Sequence, residues 1–192
     1  MLFRSMLYTR EFFEEVKEHL NPGGAVTLFV QLYESNAAAV KSEIATFLEA
    51  FPNGVVWGNT NMGEGYDLVL LGQLEPTKIN LDEMERKLRS AEYARVAQSL
   101  REVGINSAVD LFSTYAGQKS DLAPWLADAI INRDRNLRLQ YLAGMGHNLY
   151  QSGAIYADMI SHTRTPENLF EGSEPLKQAL WAGIRREQGR SY

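Results

Sequence analysis

The sequence of 192 residues contains no cysteine, so disulfides, thiolate metal sites and cysteine nucleophiles are excluded. It also has no apolar run near the roughly twenty residues that a bilayer-spanning helix needs. Residues 1–10 lack the apolar core of a signal peptide. Acidic residues outnumber basic ones, and the net charge of −5 argues against a general nucleic-acid surface. These absences predict a cytoplasmic protein with no membrane segment in this chain and no nucleic-acid partner.

Metal and nucleotide motifs are missing as well. His19, His147 and His162 are widely separated and share no metal-type spacing with carboxylates. The glycine pair at 23–24 precedes a predicted strand rather than a helix, and the Gly-Glu-Gly of residues 63–65 lies in a predicted hairpin. Neither is therefore a phosphate-binding fingerprint. We expect no metal site, no cofactor-binding residue, and structural or surface roles for the histidines.

The segment around residues 20–33 organises what is present. Its Asn-Pro-Gly-Gly at 21–24 ends a helix, because proline cannot continue the hydrogen-bond ladder and glycine accepts positive φ. Residues 25–32 are then almost continuously apolar, which is typical of a parallel strand buried on both faces in the middle of a sheet. Before it, Thr9 is a good N-cap for a helix over residues 10–20.

The next segments predict a helix and a hairpin. Ser35 can cap a helix over residues 36–51, which ends at the Pro-Asn-Gly of 52–54. Short strands over residues 55–57 and 66–71 flank a turn rich in glycine and asparagine, and two such strands indicate a hairpin. Residues 1–73 therefore form a predicted α/β domain.

After residue 73 every pattern is helical. Asn80 and Glu83 form a predicted capping box for a helix that ends near Arg89. Further helices are predicted over residues 93–103, 107–115, 122–130, 137–151, 154–160 and 174–186. Residues 74–192 are thus a predicted all-helical C-terminal domain. Within it, the polar cluster at 132–136 predicts either a salt-bridge network beside a helix start or a site for a partner or an anion.

Several motifs together resemble one enzyme family. They are Leu7-Tyr8-Thr9, Phe12-Phe13-Glu14, Lys17, Leu20-Asn21-Pro22-Gly23-Gly24, Trp57-Gly58-Asn59 and Gly63-Glu64-Gly65-Tyr66-Asp67. Their spacing is similar to that of the spermidine synthases, which have a class I S-adenosylmethionine-dependent methyltransferase fold. The tail, especially residues 97–100 and 132–137, resembles bacterial members of this family that are often fused to a membrane transporter-like segment. The resemblance covers nearly the whole chain from Leu7.

The resemblance implies the C-terminal part of a Rossmann-like sheet. Residues 25–32 would be its fifth strand, paired on one side with the hairpin and open on the side that a strand of the N-terminal half would fill. The implied parent is a transferase of polyamine biosynthesis that moves an aminopropyl group from a decarboxylated S-adenosylmethionine-type cofactor to a small amine. The family's cofactor loop and catalytic aspartates lie upstream of the residues that match, so this chain alone is expected to bind no such cofactor and to be inactive. No catalytic residue is assigned.

Other interpretations stay open. One is a methyltransferase-fold protein that uses S-adenosylmethionine with another specificity, which Phe29 favours because several spermidine synthases keep a glutamine there. A second is a non-catalytic helical interaction module. A third is a chain that completes its sheet with another copy, as a homodimer, instead of with an N-terminal half. A membrane-tethered parent would hold this region on the cytoplasmic side.

Six residues are candidates for binding an amine substrate: Tyr8, Gln31, Tyr33, Glu64, Tyr66 and Asp67. By resemblance, Tyr8 is the aromatic residue after the catalytic loop. Gln31 lies at the C-terminal end of the first strand, where ligands bind in open α/β sheets. Carboxylates and aromatic faces from the hairpin would suit a cation, so Glu64 and Asp67 predict an acidic rim. The alternatives are core packing for Tyr8 and solvated strand-end or turn positions for the others.

Overall fold

A computed structural model describes residues 5–61, 64–142 and 150–189. Its elements, in chain order, are a 3₁₀ helix (Ser5–Tyr8), α1 (Arg10–His19), β1 (Ala25–Gln31), α2 (Ala37–Ala50), β2 (Val55–Asn61), β3 (Glu64–Gln73), β4 (Ile79–Asn80), α3 (Leu81–Arg89), α4 (Ala94–Glu102), α5 (Ala108–Phe112), β5 (Tyr115–Gln118), α6 (Lys119–Leu122), α7 (Arg138–Leu142), α8 (Ser152–Ile160), β6 (Phe170–Glu171) and α9 (Glu174–Gly189). The protein is therefore mixed α/β, with a small antiparallel sheet and several helices.

The first two helices begin at polar caps. The Thr9 side chain accepts a hydrogen bond from the backbone N–H of Phe12, and this confirms the predicted start of α1. The predicted cap of α2 is wrong by one residue, since Asn36 rather than Ser35 accepts from the backbone N–H of Ala39 at 3.0 Å. Asn36 also donates to the carbonyl of Leu142, a second contact that fixes it as the cap.

The main sheet has four strands in the order β1-β3-β2-β5. The predicted hairpin is confirmed as β2 and β3, although both strands are longer than expected and leave only residues 62–63 between them. Both β1 and β2 pair antiparallel with β3, so they run in the same direction with the hairpin strand between them. The expected pairing of β1 with the hairpin is confirmed, and β1 lies at one end of the sheet.

The prediction that the first strand is buried on both faces is wrong. Val30 is fully buried, and Val26 and Leu28 pack against the same core, but Phe29 on the opposite face is 50% exposed. Successive side chains of a strand point to opposite faces, so this alternation means that the helices of the described residues cover only one face of β1. The apolar run has the composition of a central strand and the position of an edge strand.

The prediction of an all-helical region after residue 73 is also wrong. β5 joins the main sheet beside β2, and β4 pairs in parallel with β6 in a separate two-stranded sheet. The expected helix over 107–115 ends at Phe112, and most of 122–130 forms turns. Pro124 has no backbone N–H with which to continue α6 beyond Leu122. Helices α3, α4, α8 and α9 lie where they were predicted. Of the helix predicted over 137–151, α7 is described, and residues 143–149 lie outside the described residues.

Two apolar clusters cover the sheet. The first joins α1 and α2 to the sheet and to α8, and it includes Ala116 of β5. The second packs the other face of β2 and β5 against α5 and α9, around Val55 and Phe170. Both clusters contain residues from the second half of the chain. The domain boundary predicted at residue 73 stays a prediction. No helix among the described residues is long and apolar enough to cross a bilayer.

Candidate functional site

Four of the six predicted site residues lie at one end of the sheet, where β1 ends and β3 begins. Gln31 and Asp67 are register partners across the two strands. Tyr33 and Tyr66 lie directly beside them, with ring centroids 4.6 Å apart and an interplanar angle of 23°. We call Gln31, Tyr33, Tyr66 and Asp67 the sheet-end cluster. It lies at the C-terminal end of β1, as the sequence predicts.

Backbone contacts hold the two tyrosines together. The N–H groups of Leu32 and Tyr33 both donate to the carbonyl of Tyr66, at 3.3 and 3.4 Å. The Gln31 amide then donates to the carbonyl of Tyr33 at 2.6 Å. The chain turns sharply afterwards, since Glu34 has a φ of 53°. The Gln31 side chain therefore positions Tyr33 through this hydrogen bond. The backbone hydrogen bonds between the ends of β1 and β3 hold the two stacked rings in place.

Asp67 supplies the negative charge of the cluster. Its residue surface is only 7% exposed, and its register partners are Gln31 on β1 and Asn59 on β2. In the described part of the chain no lysine or arginine forms an ion pair with it. An ammonium group could donate a charge-assisted hydrogen bond to this carboxylate.

The structure does not place the two remaining candidates in this cluster. Glu64 pairs with Asn61 at the start of β3, and its side chain lies outside the described residues. Tyr8 belongs to the 3₁₀ helix, which contacts α1, α2 and α7. Its carbonyl accepts a hydrogen bond from the Asn132 side chain at 2.9 Å, and its ring packs against the first core cluster. These contacts support the packing interpretation of Tyr8.

The polar cluster at 132–136 forms the predicted salt-bridge network. Arg133 bonds Glu49 of α2 at 3.0 Å and approaches Glu11 of α1 at 3.8 Å. Asn132 is fully buried, and its backbone N–H donates to the Thr46 hydroxyl of α2 at 2.9 Å. The cluster thus ties a loop to α1 and α2, and the structural interpretation is confirmed.

Sequence reasoning missed Glu43 on α2. This side chain lies one helical turn from Val40 and Phe47, which are both fully buried. Burial raises the pKa of the Glu43 carboxyl to about 8, so it is mostly protonated at neutral pH. The signal in the sequence was a carboxylate within an otherwise apolar stripe.

The described histidines and cavities lie elsewhere. His19 is exposed and bonds the carbonyl of Glu15, and His162 is half-buried; His147 lies outside the described residues. No cluster of three or more potential metal ligands occurs in the residues described. A groove of about 500 Å³ lies between α3, α4 and the loop that precedes α5, and another of about 420 Å³ lies beside Pro52 and Gln118. Neither groove is lined by the sheet-end cluster.

Comparison with known proteins adds no relative. No protein-family model, curated protein or solved structure matches this chain. The likeness to spermidine synthases therefore stays a prediction from the sequence motifs.

Proposed function

We propose that this chain is the amine-binding, C-terminal part of a spermidine synthase-like aminopropyltransferase. The observation that carries the proposal is the sheet-end cluster. It combines a poorly exposed carboxylate, Asp67, with the stacked rings of Tyr33 and Tyr66 at the end of a strand. A carboxylate binds an ammonium group by a charge-assisted hydrogen bond, and an aromatic face attracts the same cation.

The arrangement of strands supports the proposal. β1 and β2 run in the same direction, α2 connects them, and the antiparallel strand β3 lies between them. The resemblance implies this neighbourhood for the fifth strand, with the hairpin on one side. It also implies a strand of the N-terminal half on the other side, where β1 has no further strand among the described residues.

The proposed role of each residue follows from its position. Asp67 holds a distal ammonium of a polyamine, and Tyr33 and Tyr66 pack on the amine's methylene chain and cationic ends. Gln31 positions Tyr33. Decarboxylated S-adenosylmethionine, the cofactor of the implied parent, would supply an activated carbon next to a sulfonium. Gly23 and Gly24 precede β1 and Gly65 lies in β3, so these glycines do not fit that cofactor, and no transfer step is assigned to these residues.

Calorimetric titration of the chain with spermidine tests the proposal. We expect saturable binding near or below about 1 mM, and at least about tenfold weaker binding for Asp67→Asn, because one charge-assisted hydrogen bond is lost. The matched control is Glu102→Gln, which removes the same charge from an exposed position on α4. S-Adenosylmethionine is expected not to bind.

Two results would contradict the proposal. One is the absence of saturable spermidine binding in a chain whose circular dichroism shows it to be folded. The other is equal weakening by Asp67→Asn and Glu102→Gln, which would mean that spermidine follows the general negative charge instead of the sheet-end cluster. Micromolar binding of S-adenosylmethionine would favour the methyltransferase interpretation.

A further inference from the structure

The groove between α3, α4 and the loop that precedes α5 has the size of a ligand site. Its volume of about 500 Å³ lies within the range of about 300–1,000 Å³ that is typical of small-molecule sites. Its walls come from the C-terminal half of α3, from one face of α4 and from residues 105–107. Three separate segments of the chain therefore converge on one concave surface.

Much of the groove wall is apolar. Leu88 of α3, Leu100 of α4 and Ile105 of the loop line it around the buried Ala97, and each of the three larger side chains keeps part of its surface exposed. Leu100 and Ile105 belong to neither of the two apolar clusters that cover the sheet. The hydrophobic effect therefore favours a ligand whose apolar body covers these side chains.

The carboxylate that lines the groove already has two partners. Glu85 is the single acidic side chain among the described residues of the lining, and it is 13% exposed. One of its oxygens accepts a hydrogen bond from the backbone N–H of Ala108 at 2.8 Å. The other pairs with the Arg89 guanidinium at 3.2 Å. A cationic ligand would have to displace these partners, so the groove does not favour a cation.

Arg101 gives the groove an uncompensated positive charge. This exposed residue lines the groove in the last turn of α4. Within the part of the chain that the structure describes, no carboxylate forms an ion pair with it. Glu85 and Arg89 neutralise each other, so one positive charge is left in the groove of a chain whose net charge is −5. A guanidinium binds a carboxylate through two parallel N–H···O hydrogen bonds.

We propose that this groove binds a small amphiphilic carboxylate, which is a molecule with one carboxylate group and an alkyl or aryl body. The carboxylate pairs with the Arg101 guanidinium. The apolar body packs against Leu88, Leu100 and Ile105. An uncharged apolar molecule lacks the ion pair, and a small hydrophilic anion leaves the apolar wall in water, so both parts of the ligand contribute. The proposal does not rest on the proposed function, because the groove shares no residue with the sheet-end cluster.

Titration with octanoate, followed by NMR, tests the proposal. Octanoate combines one carboxylate with a straight alkyl chain. We expect saturable binding with a dissociation constant on the order of 0.1 to 1 mM, because one exposed ion pair and a partly buried alkyl chain support only weak binding. Acetate has the charge without the chain, and octanamide has the chain without the charge. Each of these two probes should bind at least about fivefold more weakly than octanoate.

Two arginine variants separate the groove from the overall charge of the chain. Arg101→Gln should weaken octanoate binding about fivefold, since it removes the ion pair and keeps a side chain of similar length. Arg95→Gln is the matched control, because it removes the same charge from an exposed position on the same helix that does not line the groove. It should leave octanoate binding unchanged. Circular dichroism checks that both variants are folded.

The same NMR spectra locate the bound octanoate. Amide signals of α3, α4 and residues 105–107 should shift, while those of the sheet-end cluster should stay in place. The absence of saturable octanoate binding overturns the proposal, and so does saturable binding that shifts other segments instead. Equal affinities for octanoate and octanamide, or equal effects of Arg101→Gln and Arg95→Gln, overturn it as well, because the charge of Arg101 would then play no part.

Discussion

The two ends of the main sheet are built from similar residues and covered in opposite ways. At the β2–β5 end, Val55 and Tyr115 are buried on one face, and Val56 and Ala116 are buried on the other. At the β1 end, one face packs on α1 and α2, while Phe29 on the other face is half exposed. Whether an apolar strand is buried on both faces thus depends on which helices reach it, and its composition does not decide this.

The largest expected effect contrasts two phenylalanines. Phe47 of α2 is fully buried on the face of the sheet that α1 and α2 cover, which we call the closed face. Its ring centroid lies 5.3 Å from that of Phe13 and 5.0 Å from that of Phe51. Phe47→Ala should lower the free energy of unfolding by about 3–5 kcal/mol, because it leaves a cavity. Phe29→Ala at the open end should cost less than about 1 kcal/mol. Urea unfolding at one low protein concentration measures both, and equal losses would mean that the open face is covered in solution.

The next effect concerns Glu43, which lies in the helix that covers the closed face. Its pKa is 4.5 when solvated and is raised by burial to about 8 in the folded chain. The folded state therefore loses stability as the pH rises from about 4.5 to 8, and the loss is constant above that range. Glu43→Gln cannot ionise, so it should be more stable than the unaltered chain by roughly 4 kcal/mol at pH 8 and equal to it near pH 4.

Unfolding free energies at pH 4, 6 and 8 test this expectation. Glu15→Gln, an exposed change on α1, controls for the loss of a negative charge. If Glu43→Gln and Glu15→Gln have the same pH dependence, the Glu43 carboxyl is solvated and ionises normally.

The smallest effect concerns Gly58, in the part of β2 that α8 covers. A Cβ atom at Gly58 would overlap the Tyr156 hydroxyl and would lie 2.9 Å from two of its ring carbons. Gly58→Ala should therefore cost about 1–2 kcal/mol through overpacking. Tyr156→Phe removes the hydroxyl, so the double variant should lose less than the sum of the two single losses. Additive losses in a double-mutant cycle would show that the two sites do not touch.

Local patterns predicted much of this fold. Thr9, the Asn-Pro-Gly-Gly at 21–24 and the apolar stripe of α2 located α1, β1 and α2, because caps, helix breakers and periodicity act over a few residues. The sheet-end cluster followed from β1 and the hairpin, since Gln31 and Asp67 needed only the right pairing to meet.

What failed depended on distant contacts. The segment Tyr115–Gln118 has no alternating pattern. It becomes a strand because β2 offers it a free edge and the two apolar clusters bury its two faces. The two-residue strands β4 and β6 are too short to leave a signal. The exposure of Phe29 could not be predicted either, because the residues of β1 do not indicate which helices pack against the strand. The pKa of Glu43 likewise depends on the whole fold around α2.

The pairing of β2 with β5 has a consequence for how the chain reaches its native state. β1, β2 and β3 are close together in the sequence, but β5 follows only after α3, α4 and α5. During synthesis the three early strands can assemble while both outer edges, β1 and β2, are still unpaired. The β2 edge is closed only when the loop that contains those helices has closed, and the entropy of that closure slows the step. A nascent chain released before Gln118 would therefore carry two unpaired strand edges. Truncated products should consequently aggregate more than the finished protein does.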